Sequence, residues 1–420
     1  METQKLINHC RSRGQINHVK ILLVCTEKLP VPFIRGGAIQ TYINEILPYI
    51  SREHEITVFS VTDPDLPEHE IRDGICYERA GGDTEAYYQA VADFVAEEIF
   101  DWIIIYNRPK YLPLVAAASP QSRFLLSMHN EMFGDNKIAP EVARHCLQLV
   151  DKVVTVSEFI AHGIADLFPE YRHKLQPVYA GVNLQRFQPK WVSDAAERRA
   201  NLLDAHDLKD RKVVLSVGRL SKKKGPHILL SAFSEVIEQH PSAVILLVGS
   251  KWYGKDEEDN YVLKLKEQAK SLGDSVRLSG FVSPVKVPDY FLLGDIFVCA
   301  SQWQEPLARV HYEAMATGLP IITTARGGNA EVIVPDGNGL LINDYENPHA
   351  FATQINYLLS RPDVTEEMGR KGRYLSETNY SWYRVASDIL QILATDHRSN
   401  KISLAMPEPN YKESTAVEAL

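Results

Sequence analysis

Short, continuous apolar runs recur along this chain, and they restrict the fold more than any other feature. They begin with VKILLVC (19–25), EITVFSV (55–61), WIIIYN (102–107), FLLSM (124–128), KVVTVS (152–157) and LQPVYAG (175–181). A strand with one wet face alternates apolar and polar residues; a run apolar throughout belongs to a strand covered on both faces. Helical patterns such as AIQTYINEILPYI (38–50) and AYYQAVADFVAEEIF (86–100) lie between several of them. Alternating helices and doubly buried strands mean an α/β fold with parallel sheets. The rhythm stops across the charged stretch 187–212, which carries Pro189, and then restarts. KVVLSVG (212–218), AVILLVG (243–249), VRLSGFV (276–282), DIFVCAS (295–301), LPIITTA (319–325) and GLLIN (339–343) form a second series.

A chain of 420 residues accommodates two such units. The expected division is a flexible extension over 1–18, a first domain over 19–185, a linker near 182–195 and a second domain over 190–378. A last helical pattern, SWYRVASDILQIL (381–393), follows, and the polar tail from 396 to 420 is expected to be disordered. Two doubly wound sheets facing each other form a cleft at the carboxyl ends of their strands, where ligands of open α/β sheets bind.

The formal charge of −9 gives no basic field of the kind nucleic acid requires. Cys10, Cys25, Cys76, Cys146 and Cys299 are scattered without C-x-x-C spacing, so neither a disulfide framework nor a zinc site is indicated. The first residues hold no apolar core of signal-peptide length, and no run approaches the 18 apolar residues of a membrane span. A cytoplasmic protein is expected.

The chemistry gathers after strands. Gly36-Gly37 precedes a helix, where free backbone N–H groups can meet an anion, and Arg35 stands beside it. The segment lacks G-x-G-x-x-G, which counts against a nicotinamide dinucleotide. His129, Asn130 and Glu131 cluster at a strand end, favouring a ligand and packing about equally. Arg219 directly follows a strand, and Lys224 enters a helix five residues later; a planar fork and a point charge suit two linked phosphates. Lys222 and Lys223 read as solvated. In EPLARVHYEAMATGLP (305–320) the acids Glu305 and Glu313 flank a helix start marked by Pro306. The backbone N–H groups of Leu307, Ala308 and Arg309 are expected as free donors there. Two acids among cationic and backbone donors fit a ligand carrying both hydroxyls and phosphates, which is a nucleotide sugar.

The pair Glu305 and Glu313 within EPLARVHYEAMATGLPII, with GRLSKKKG upstream, resembles family 4 of the retaining GT-B glycosyltransferases over about residues 19–395. The wording TEKLPVP…RGGAIQTY, HNEMF and SQWQEPLARVHYEAMA is most similar to the branch with spore-coat glycosyltransferases of bacilli. The resemblance implies two Rossmann-like domains facing across a cleft, with the last helix (381–395) crossing back onto the first domain. It also implies a nucleoside-diphosphate sugar donor, UDP-linked by expectation, and no cofactor or metal. By motif, Arg219 and Lys224 would hold the diphosphate, Glu313 the ribose and Glu305 the donor sugar. His129 would face the reacting sugar, Gly37 would approach phosphates and acceptor, and Gly280-Phe281 would hold the base. Two departures stand out: Pro306-Leu307-Ala308 replaces the family's usual x-Phe-Gly after the acid, and AGVN (180–183) replaces NGVD.

The implied reaction is metal-independent transfer to an acceptor attacking the same face of the sugar. The acceptor is open among glycan, small molecule, protein and lipid, and association with the spore coat is also left open. The rivals are a catalytically silent coat protein on the same fold, and another GT-B enzyme such as a sugar-nucleotide epimerase. The triplet DPD (Asp63–Asp65) matches the metal-binding Asp-x-Asp of other transferases in letters only and reads as a polar turn.

Overall fold

The computed structural model describes residues 19–134, 136–251 and 259–394. The expected extension at 1–18 and tail at 396–420 therefore lie outside the described residues. Both series of apolar runs form sheets. The first holds eight strands: β1 (Lys20–Val24), β2 (Glu55–Val61), β3 (His69–Arg72), β4 (Ile75–Ala80), β5 (Trp102–Tyr106), β6 (Arg123–Met128), β7 (Lys152–Thr155) and β8 (Leu175–Pro177). Their order is β3-β4-β2-β1-β5-β6-β7-β8, parallel except for the antiparallel pair β3–β4.

The second sheet holds β9 (Lys212–Val217), β10 (Ala243–Val248), β11 (Val276–Leu278), β12 (Ile296–Cys299), β13 (Ile321–Thr324) and β14 (Gly339–Ile342). It is parallel throughout, in the order β11-β10-β9-β12-β13-β14.

The strand period of two shows directly in the packing. Ile21 and Leu23 of β1 enter one apolar core, while Leu22 and Val24 enter another on the opposite face. The first core receives Tyr42, Ile43, Ile46 and Leu47 from the helix Ala38–Ile50 and Trp382, Val385 and Ile389 from the helix Trp382–Ala394. It is continuous with Val213 and Leu215 of the second sheet, so one apolar body runs beneath both units.

The β3–β4 hairpin was not foreseen. Its turn is Asp73-Gly74, with φ of 53° and 77°, joining Arg72 to its partner Ile75. Two positive φ values are what a two-residue type I′ turn demands, and Asp-Gly is a strong sequence signal for it.

The chain passes between the sheets twice, and the crossings lie side by side. Val182 donates its N–H to the carbonyl of Tyr380 at 2.8 Å and forms a parallel bridge with Ser381. Away from the crossings, Glu331 of the second unit accepts from the backbone N–H groups of Glu158 and Phe159 at 2.8 and 2.7 Å. It thereby caps the first turn of the helix Glu158–Leu167, where a carboxylate is favoured by the helix dipole.

Candidate functional site

A cleft of about 530 Å³ opens between the carboxyl ends of the two sheets. One wall carries Gly37, Tyr42 and His129; the facing wall carries Arg219, Lys224, Phe281, Glu305, Leu307, Ala308, Arg309 and Glu313. Glu131, grouped with His129 and Asn130 in the sequence, is not on the lining, and neither is Gly280. Its φ of 66° and its bridge to Gly249 shape the turn that presents Phe281, which is 42% exposed.

Gly37, with φ at 101°, begins the helix Ala38–Ile50. That backbone conformation strains any residue with a Cβ. Arg35 nearby does not serve an anion. Its guanidinium grips Asp63 at 2.7 and 2.9 Å and Asp65 at 2.5 Å, and holds the Asp63 carboxyl below its ordinary value. Both acids of the DPD triplet are thereby occupied by an arginine.

His129 follows β6 directly. Asn107, held at φ 55°, accepts the His129 N–H at 2.7 Å and that of Asn130 at 3.1 Å, which fixes the turn. The imidazole Nε2 lies 3.1 Å from the Ser127 hydroxyl, and its ring stands edge-on to Tyr42 at 4.8 Å. Loss of solvation, with the Arg309 charge adding to it, pushes its pKa down to about 3. The ring is therefore neutral near pH 7.

On the other wall Glu305 and Lys224 are bound to each other. Lys224 Nζ donates to Glu305 Oε2 at 2.6 Å, and the same oxygen accepts from Ser301 Oγ at 2.8 Å and Trp303 Nε1 at 2.7 Å. Burial pushes the carboxyl up, but the Lys224 charge and these donors outweigh it and hold Glu305 below its ordinary value. All three donors converge on Oε2 rather than Oε1. An ammonium has three donors, so Lys224 retains two.

The helix following Glu305 begins later than the sequence suggested, at Val310, so Leu307, Ala308 and Arg309 belong to the loop. The Ala308 N–H is not free: it donates to Asn329 Oδ1 at 3.0 Å. A proline near a helix start is permitted without marking it, and here the chain turns against Gly327-Gly328 before winding. Gly328 donates its N–H to the Glu305 carbonyl at 2.8 Å. At Gly327, with φ 59°, a Cβ would stand 2.1 Å from that carbonyl oxygen, so only glycine fits. This glycine pair, Asn329, Ser301 and Trp303 were missed, although a second Gly-Gly soon after a strand was a visible signal.

Glu313 sits inside the short helix and accepts from Arg309 at 3.0 Å through Oε1. Burial pushes its carboxyl above the usual carboxylate value, against the opposing charges of Arg309 and Arg186. His311, between the two acids, is structural: it is buried, bridges the Ala308 carbonyl and the Thr323 hydroxyl, and is pushed down to about 4 by burial. Lys222 and Lys223 are exposed. With Lys224 and Arg309 each paired to an acid, Arg219 is the cleft cation without a side-chain partner among the described residues.

Residues 36–186 match the family described as Glycosyltransferase Family 4, and residues 199–374 match Glycosyl transferases group 1. Spore coat protein SA of Bacillus subtilis is 45% identical over 89% of this chain and 99% of its own length. The chain belongs to the family 4 glycosyltransferases. The enzyme is also similar to the putative glycosyltransferase YtcC of B. subtilis, at 39% identity over 88% of this chain and 90% of that protein. Among solved structures, Anabaena HepE in complex with UDP superposes with a TM-score of 0.72 at 20% identity, covering 89% of this chain and 99% of that one. WaaG, a glycosyltransferase involved in lipopolysaccharide biosynthesis, gives 0.67 at 16%, covering 89% and 100%. At those identities the likeness concerns the fold, which is GT-B. Among the described residues no helix is long and apolar enough to cross a membrane.

Proposed function

We propose that this family 4 enzyme transfers a sugar, with retention of configuration, from a UDP-sugar to an acceptor and needs no metal. One observation carries the reading. Two buried acids, each tethered to a cation through one oxygen, line a cleft in which Arg219 has no side-chain partner among the described residues.

Each residue then has a distinct task. Arg219 and the two remaining donors of Lys224 bind the diphosphate. Glu313 accepts from the ribose through Oε2, and Glu305 accepts from sugar hydroxyls through Oε1. Phe281, exposed at the tip of its loop, stacks on the base. Across the cleft, neutral His129 hydrogen-bonds the sugar near its reacting carbon, and Gly37 lets the backbone approach the phosphates. The solved complexes of HepE with UDP and with UDP-glucose support a UDP-linked donor for a chain of this fold.

The bond from the anomeric carbon to the β-phosphate oxygen breaks, and its electron pair stays on the phosphate. Arg219 and Lys224 stabilise that charge. The acceptor hydroxyl attacks from the same face, and its proton passes to the departing phosphate oxygen. No carboxylate need act as base. This assignment uses residues 19–185 with the helix Trp382–Ala394 as the acceptor-side domain, and 190–378 as the donor-side domain. Kinship with Spore coat protein SA supports a coat-associated enzyme.

The deciding assay is transfer from UDP-sugars in excess EDTA, with the anomeric configuration of the product read by NMR. Activity should persist, and Arg219→Ala should lower it about 10²–10³-fold, the range for removing a donor aimed at developing charge. Activity abolished by EDTA and restored by Mn²⁺ would overturn the mechanism.

A further inference from the structure

We propose that the β3–β4 hairpin carries a structural site for a divalent cation of borderline softness, of the Zn²⁺ or Co²⁺ kind, held by His69, Cys76 and Glu78. The cysteine spacing in the sequence gave no hint of it, because the hairpin brings the ligands together. His69 on β3 is paired directly with Glu78 on β4, and Cys76 lies two residues before Glu78 on the same face. The ligand atoms of all three lie within 4.8 Å of one another. His69 Nδ1 is 2.5 Å from Glu78 Oε1, and Cys76 Sγ is 3.5 Å from the same oxygen.

Nitrogen, sulfur and oxygen donors together are the set that suits zinc. Metal–ligand bonds of about 2.0–2.3 Å in a tetrahedron put ligand atoms roughly 3.3–3.8 Å apart. The Cys76–Glu78 spacing already falls there. The His69–Glu78 pair, now a hydrogen bond, opens by about 1 Å when the cation replaces the shared proton. The scaffold is firm, because β4 is paired on both sides, with Cys76 opposite Ile71 and Thr57. His69 is 60% exposed at its side chain, so the fourth position faces water.

None of the three residues lines the cleft, so the site is separate from sugar transfer.

The test is titration of the full-length protein with Co²⁺ alone. One equivalent should produce a near-ultraviolet thiolate-to-cobalt band, release protons, and be displaced by Zn²⁺. Cys76→Ser should abolish the band, and His69→Ala and Glu78→Gln should each weaken binding at least about tenfold. Zn²⁺ should raise the Tm of the wild type more than that of any variant, while EDTA lowers the wild-type Tm without stopping transfer. No thiolate band at one equivalent, or a band surviving Cys76→Ser, overturns the site. A band indifferent to His69→Ala marks an adventitious ion on Cys76 alone and overturns it equally. If Cys76→Ser does not fold, His69→Ala still decides, since that side chain is mostly exposed.

Discussion

Replacing Lys224 with methionine removes the charge facing Glu305 while keeping most of the side chain's length. The Glu305 carboxylate is 9% exposed at its side chain, so the variant buries a charge without its partner. Breaking one side of a buried pair costs about 3–5 kcal/mol. Ser301 and Trp303 still donate to Oε2, which places the loss near the lower end, about 3 kcal/mol at pH 7.

The pH dependence gives a sharper signature. In the wild type the folded Glu305 carboxyl lies below its ordinary value of 4.5, so its contribution is present above that pH and is lost as pH falls through the folded value. Without Lys224, burial dominates and the folded value rises above 4.5. Between those two values the folded state holds the extra proton, so the variant's stability relative to wild type should improve as pH falls. The slope is at most about 1.4 kcal/mol per pH unit. Urea unfolding followed by tryptophan fluorescence at pH 7 and pH 5 measures both effects. Lys224→Met/Glu305→Gln should regain most of the lost stability, because the remaining amide carries no charge. A single variant as stable as wild type at pH 7, a deficit equal at both pH values, or a double variant no better than the single would each refute the reasoning.

Glu313→Ala should weaken binding of free UDP by about 1.5–3 kcal/mol, the value of a hydrogen bond to a charged group, whereas Glu305→Ala should spare UDP and lower transfer; calorimetry giving wild-type UDP affinity for Glu313→Ala contradicts the assignment. His129, pushed down to about 3, stays neutral across pH 5–8, so His129→Ala should lower kcat without removing an acid limb. A limb near pH 6 that vanishes in His129→Ala would show that the imidazole titrates in the working range.

Much of the fold was legible because doubly buried strands announce themselves: EITVFSV and AIQTYINEILPYI match an element residue for residue. β3 and β4 escaped because HEIR and ICYERA are half polar, as an edge and its neighbour must be. Asp73-Gly74 between them was the readable clue. Within the cleft, the residue types that carry charge were visible, but their partners were not. Lys224 and Glu305 lie 81 positions apart, and nothing in spacing tells that they meet. The late helix start at Val310 was likewise decided elsewhere, by Gly327 and Asn329 pulling the Glu305 loop into a compact turn.

The paired crossings at Val182 and Ser381 have a mechanical consequence. Two connections far apart would weld the halves together; two running side by side act as one pin. A rotation of one unit against the other about the line of that pin would change the distance between Gly37 and Arg219 while leaving the paired crossings intact. The grip of Glu331 on the amides of Glu158 and Phe159 lies off that line, so it resists the swing with leverage. Any swing that opens the cleft therefore begins by breaking the two hydrogen bonds that Glu331 accepts across it.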